Sequence, residues 1–268
     1  MTHLNRLFAF VLRLHQYRGV IWAMAKHDLA ARYIGTIGGV FWAVLHPALT
    51  VLIYWFVFAV GFKAQGPAGT PFILYFVSGL VPWLFFSEVL LSSMNSVTAN
   101  ASLIKKTIFP SEILPLVHFV SSSFTHAVLL VILCILAWSY GFGPRLTVLQ
   151  LVYYYGAAGC FFLGLSWLLS ALQVFHRDLA QAMTAVLSLW FWLTPVVWSV
   201  EMIPHSFKIM LELNPLYYVV EGYRSLLTGV PFWLRWREGL CFWSITGPVL
   251  ILGSYVFRRL KPEFADML

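Results

Sequence analysis

Long apolar runs, separated by short polar turns, recur along the whole chain, at about 38–61, 72–92, 114–138, 148–172, 180–200 and 239–257. Each is close to the ~20 residues a helix needs to cross about 30 Å of hydrocarbon. Inside hydrocarbon every backbone N–H and C=O has to find its partner within the protein, and a helix provides this within one segment. Composition leaves no water-soluble alternative. Of 268 residues, 60% are hydrophobic and only 10% charged, with a mean hydropathy of +0.82; a soluble domain carries about 25% charged residues. The expected fold class is therefore all-α. It is a polytopic integral membrane protein with about six transmembrane helices, in a single transmembrane domain covering 1–268.

Two segments depart from the spanning pattern. In residues 4–34 the basic side chains Arg6, Arg13, Arg18, Lys26 and Arg32 interrupt apolar residues at helical spacing, which predicts an amphipathic helix lying in the interface plane. Asp28 and Arg32 stand four apart there and share a face; Gly35, Gly38 and Gly39 then redirect the chain. Residues 201–237 are aromatic and apolar but cut by Pro204, Pro215 and Pro231. Each piece is too short to span, so 201–226 is expected to form a pair of re-entrant half-helices dipping in from one side.

Charge sets the orientation. With both ends on the same side, that side holds 11 of the 17 basic residues, among them Lys105, Lys106, Arg177, Arg258, Arg259 and Lys261; the other side holds Lys63, Arg145, Lys208, Arg224, Arg235 and Arg237. Basic excess marks the cytoplasm, so both termini are expected to be cytoplasmic. The same bias accounts for the net charge of +7 without nucleic acid.

The chain carries no GxxxxGK[ST], HExxH or GxSxG pattern and no paired carboxylates, so no catalytic, metal or cofactor-binding residue is assigned. Cys134, Cys160 and Cys241 sit inside apolar runs, without CxxC spacing, and read as packing residues. Glu88 is the only carboxylate deep in a span. It either serves a substrate path, as an acid at membrane depth does by default, or reaches the interface or a neighbouring Ser or Asn from the cytoplasmic end of its helix.

Three patches carry a family resemblance. The first is 28–42 (DLAARYIGTIGGVFW) followed by His46-Pro47; the second is 100–110 (NASLIKKTIFP) followed by Leu114-Pro115. The third runs from His176-Arg177-Asp178-Leu179 through Leu193-Thr194-Pro195 and Asn214-Pro215-Leu216 to Tyr223-Arg224-Ser225. In this order, across nearly the whole chain, they closely resemble the permease subunits of ABC-2 exporters for polysaccharides, which move O-antigen, capsule or teichoic acid chains. His46 stands where the family often has Asn, and His176 where it often has an aromatic residue.

The resemblance implies a homodimer of permeases in the bacterial inner membrane, seated on two ATPase subunits that hold ATP and Mg, and exporting a lipid-linked polysaccharide. It implies an ATPase-coupling surface at Asp28 and Arg32 and at Asn100, Lys105, Lys106 and Phe109. Arg177 and Asp178 are either part of that surface or a structural turn in which Asp178 caps the next helix. Lys105 and Lys106 taken alone also fit ordinary positive-inside anchors. Trp42, Tyr54, Trp55, Phe58, Phe62 and Trp190 are the candidate substrate-channel aromatics, with Glu88 beside them. Tyr54, Phe58 and Phe62 recur every fourth residue and share a face, yet the same residues also fit an aromatic interfacial belt. Glu201, Asn214, Pro215, Glu221 and Arg224 are implied at an outer gate, where the charges either pair, bind a passing glycan or solvate an external cap. The rival functions are ABC-2 export of drugs or lipids and a membrane-embedded glycosyl- or acyltransferase; the second needs a carboxylate or His cluster that the sequence lacks.

Overall fold

The computed structural model describes residues 16–33, 41–107, 109–143 and 146–268. Arg6, Arg13, Gly35, Gly38, Gly39, Ile108 and Arg145 lie outside the described residues. Within them the chain is helical, without a strand: α1 Arg18–Tyr33, α2 Phe41–Trp55 running on into a π-helical turn Phe56–Gly61, α3 Phe72–Met94, and the short α4 Ser96–Ala99 and α5 Ala101–Lys106. There follow α6 Leu114–Ser139, α7 Gln150–Phe175, α8 Leu179–Leu193, the short α9 Lys208–Glu212, α10 Pro215–Thr228, α11 Trp236–Leu260 and α12 Phe264–Met267. The protein is a polytopic helical membrane protein.

The stretches Phe72–Met94, Ser111–Ser139, Gln150–Phe175 and Phe232–Met267 are long and apolar enough to cross a bilayer; Leu45–Gly61 and Leu179–Leu193 are apolar but shorter. The expected helix over 180–200 stops at Leu193. Pro195 disfavours helical geometry at the residue before it, and Thr194 turns extended (ψ 133°). The chain from there to Val197 remains buried instead of entering solvent, with Thr194 and Val196 fully covered.

Helix α3 is the centre of the bundle. It packs against α6, α7, α8, α10 and α2, and Phe76, Phe86 and Leu90 on it are fully buried. A helix covered on all sides has no polar face to show, which explains why its sequence is apolar all round. Helices α7 and α11 approach closely where small residues meet. A Cβ at Gly253 would lie 2.0 Å from the Gly164 carbonyl oxygen, so only glycine allows the backbones this near.

The segment expected as two re-entrant half-helices is less symmetrical than that. Its first part is two 3-10 turns and the five-residue α9, while its second is the fourteen-residue α10. Helix α10 sits inside the bundle, against α3, α7 and α11, and ends where Gly229 turns left-handed (φ 70°).

Candidate functional site

Two polar constellations stand at opposite ends of the bundle. At the end carrying Lys105, Lys106, Arg177 and Lys261, helix α1 lies against α6. Arg32 is the hub of its attachment. Its Nε donates to Asp28 Oδ2 at 3.1 Å, the helical i,i+4 contact expected from the sequence. Its Nη1 pairs with Glu88 of α3, and its Nη2 donates to Ser121 Oγ of α6 at 3.2 Å. Ser121 in turn donates to Asp28 Oδ2 at 2.7 Å, and His118 Nδ1 lies 3.5 Å from Asp28 Oδ1. Burial acts to raise the Asp28 pKa, but the polar contacts of His118 and Ser121 and the Arg32 charge outweigh it and hold the carboxyl well below the usual range. Glu88 thus faces α1, while its neighbour Ser87 lines a separate cavity.

Beyond α3 the chain turns through α4 and α5. Asn100, between them, donates from Nδ2 to the Ser96 carbonyl at 2.8 Å. Ile104 and Phe109 pack into an apolar cluster around Leu114 and Trp167, leaving Lys105 and Lys106 exposed. The His176-Arg177-Asp178 turn is exposed as well, and Gln173 donates to the Arg177 carbonyl at 2.9 Å. Asp178 makes no side-chain cap. It takes helical angles itself (φ −78°, ψ −10°), whereas a capping residue needs an extended backbone to aim its carboxylate at the following N–H groups.

On α2 the four-residue spacing does produce a shared face: Tyr54 and Phe58 stack at 6.1 Å between ring centroids, and Phe58 meets Phe62 at 5.5 Å. This face docks on α3, through Phe72 and Phe76, and Tyr54 also meets Phe191 of α8 edge-on. Such pairs contribute about 0.5–1.5 kcal/mol each beyond area burial. A cavity of about 380 Å³ opens here, lined by Thr50, Tyr54, Trp83, Ser87, Ser188 and Phe191 among others. Phe62 is 71% exposed, and Trp42 and Trp55 also project outward.

At the opposite end Asn214 locks α10 to α8. Its Oδ1 accepts from Leu216 N at 3.1 Å, which caps α10, and from Trp190 Nε1 at 3.0 Å; its Nδ2 donates to Thr194 Oγ1 at 2.9 Å. Pro215 follows as the first helical residue, where its missing N–H costs nothing. The turn borders an apolar cavity of about 750 Å³ whose walls include Trp190, Trp192, Trp198, Phe207 and Met210. Deeper in, Arg224 is 2% exposed. It donates to Glu221 at 2.7 Å and to the Pro195 and Val196 carbonyls at 2.6 and 3.1 Å, with its guanidinium 3.6 Å over the Tyr75 ring. Arg235 completes the group by donating to the other Glu221 oxygen at 3.0 Å. Glu201 and Glu212 stay exposed.

Residues 19–228 match the sequence model of the ABC-2 type transporter family. The chain belongs to that family. It is 31% identical over 248 residues to a Klebsiella pneumoniae protein named O-antigen export system permease protein RfbA, covering 91% of this chain and 93% of the relative. A protein of the same name from Myxococcus xanthus is 28% identical over 263 residues, covering 97% of this chain and 99% of the relative.

The matched part of this ABC-2 transporter contains both constellations entire except Arg235, and it stops before α11 and α12. The sequence pointed to Asp28, Arg32, Glu88, Trp190, Asn214, Glu221 and Arg224 one by one. It did not point to Tyr75, His118, Ser121 or Arg235 as their partners. Thr194 was legible only within the Leu193-Thr194-Pro195 patch of the family resemblance, and its hydroxyl proves to be the acceptor that fixes Asn214.

Proposed function

We propose that this chain is the channel-forming permease subunit of an ATP-driven ABC exporter that moves a lipid-linked polysaccharide of the O-antigen, capsule or teichoic acid type from the cytoplasm across the inner membrane. The carrying observation is that relatives named as O-antigen export permeases align over 91–97% of this chain, leaving no large part of it for another function. In this reading the chain forms a homodimer, both termini are cytoplasmic, and ATP and Mg are held by two copies of a separate ATPase subunit. The end bearing Lys105 and Lys106 faces the ATPases, in keeping with the basic excess there.

The chemistry of the aromatic face on α2, α3 and α8 suits a glycan. Sugar rings stack their C–H faces on aromatic rings, and Thr50, Ser87 and Ser188 supply hydroxyls beside Tyr54 and Trp83. Contacts of this kind are weak and numerous, so a polymer slides along them. Asn214, Glu221 and Arg224 hold the re-entrant segment as a gate on the far side.

The test is genetic and biochemical. Deleting the gene should leave glycan trapped on the cytoplasmic side, and co-expression with the cognate ATPase should yield a stable complex that restores export. Normal surface glycan in a deletion strain that has no paralogue would overturn the assignment.

A further inference from the structure

Helix α5 has six residues and no side-chain cap, too short to hold its shape or place alone. Part of what holds it comes from the far end of the sequence. After α11 the chain turns through Lys261–Glu263 into α12, which packs directly against α5. Phe264 is fully buried there, edge-on to Phe257 at 5.3 Å and 6.4 Å from Phe175, in the same apolar cluster that receives Ile104 and Phe109. A second attachment lies just past α5. Lys261 pairs with Glu112, which is buried in the 3-10 turn leading into α6, and the Glu112 carbonyl accepts from Trp167 Nε1 at 2.9 Å. The segment bearing Lys105 and Lys106 is thus clasped by α12 along α5 and by Lys261 at its exit.

The geometry points to residues 261–268 as a positioning element of the coupling surface: the Phe264 plug and the Lys261–Glu112 pair set where Lys105 and Lys106 stand. The inference rests on the proposed role of that surface as the ATPase contact. It adds that a push on α5 passes straight to α11, and through it to α7, in addition to passing along the chain into α6. The ion pair, one partner of which is buried, gives the clasp its direction, since Glu112 left without a cation is costly.

The experiment uses the full chain with its cognate ATPase, with Cys134, Cys160 and Cys241 replaced by Ala and a spin label attached through Ser102→Cys on the exposed side of α5. Phe264→Ala and Lys261→Glu should raise the label's mobility and lower glycan moved per ATP hydrolysed about tenfold. Lys261→Arg should keep both values, and Lys261→Glu combined with Glu112→Lys should recover most of both. Each variant is compared only as a monodisperse complex, so a misfolded Phe264→Ala protein is replaced by the milder Phe264→Leu. An unchanged label signal in the single variants overturns the clasp. A mobile label with unchanged transport per ATP overturns its part in coupling. The label needs neither ATP nor glycan, so a wild-type complex that moves no glycan sinks the export reading and leaves the clasp to be judged by mobility alone.

Discussion

Arg32 and Glu88 stand 56 positions apart and meet as an ion pair that ties helix α1 to the central helix α3. Each side chain is about a quarter exposed. The pair therefore falls between an exposed bridge, about 0–1 kcal/mol, and a buried one whose broken half costs about 3–5 kcal/mol. Because Arg32 also serves Asp28 and Ser121, its loss leaves two carboxylates without their cation, while loss of Glu88 leaves Arg32 still paired. Arg32→Gln should lower the thermal unfolding midpoint in detergent more than Glu88→Gln does. In the double variant the two effects should fall short of additive; strict additivity would show that the pair is not coupled.

The Asp28 carboxyl, held well below the ordinary carboxylate range, also gives a pH signature. A depressed pKa stabilises the folded state fully above the unfolded value, near about 3.9, and that stabilisation disappears as pH falls through the folded value. The stability difference between wild type and Asp28→Asn should persist down to about pH 4 and shrink below it. Paired denaturation curves across that range would read it.

At the re-entrant turn, Asn214→Ala removes the α10 cap and orphans the Trp190 indole N–H. Loss of a cap alone costs about 0.5–2 kcal/mol. Asn214→Asp loses the donor to Thr194 but keeps an acceptor for both Leu216 N and Trp190, so its effect should be the smaller. Hydrogen exchange of the first turn of α10 should be accelerated in Ala and nearly unchanged in Asp.

For helix packing, Gly253→Ala drives a methyl group into the Gly164 carbonyl, while Gly156 on α7 has open space where a methyl group would stand. Overpacking of this kind costs about 1–3 kcal/mol. Gly253→Ala should therefore destabilise, and Gly156→Ala should be neutral or slightly stabilising, since alanine favours a helix by about 1 kcal/mol over glycine. Unfolding midpoints of the two variants, measured side by side, decide it.

Replacing Lys105 and Lys106 together by Glu should leave folding intact, because both are exposed. On the proposed reading it uncouples the ATPase from export: hydrolysis continues while glycan transport falls. Unchanged export in a reconstituted complex would remove the coupling role from these lysines.

Contacts whose geometry is set within one helix were legible in the residues alone. The apolar runs had to become helices, since hydrocarbon offers the backbone no other partner. Asp28 met Arg32, and Tyr54 met Phe58, because a helix places residues four apart on one face. Wherever the outcome depended on how one helix is rotated against another, the tertiary structure decided. It turned Glu88 toward Arg32, set Arg224 on the Pro195 and Val196 carbonyls, and left Asp178 without a capping bond. It also folded Phe264 under α5 from the other end of the chain. Helical periodicity is written in the order of residues, but the rotation and depth of each helix come only from packing the whole bundle at once.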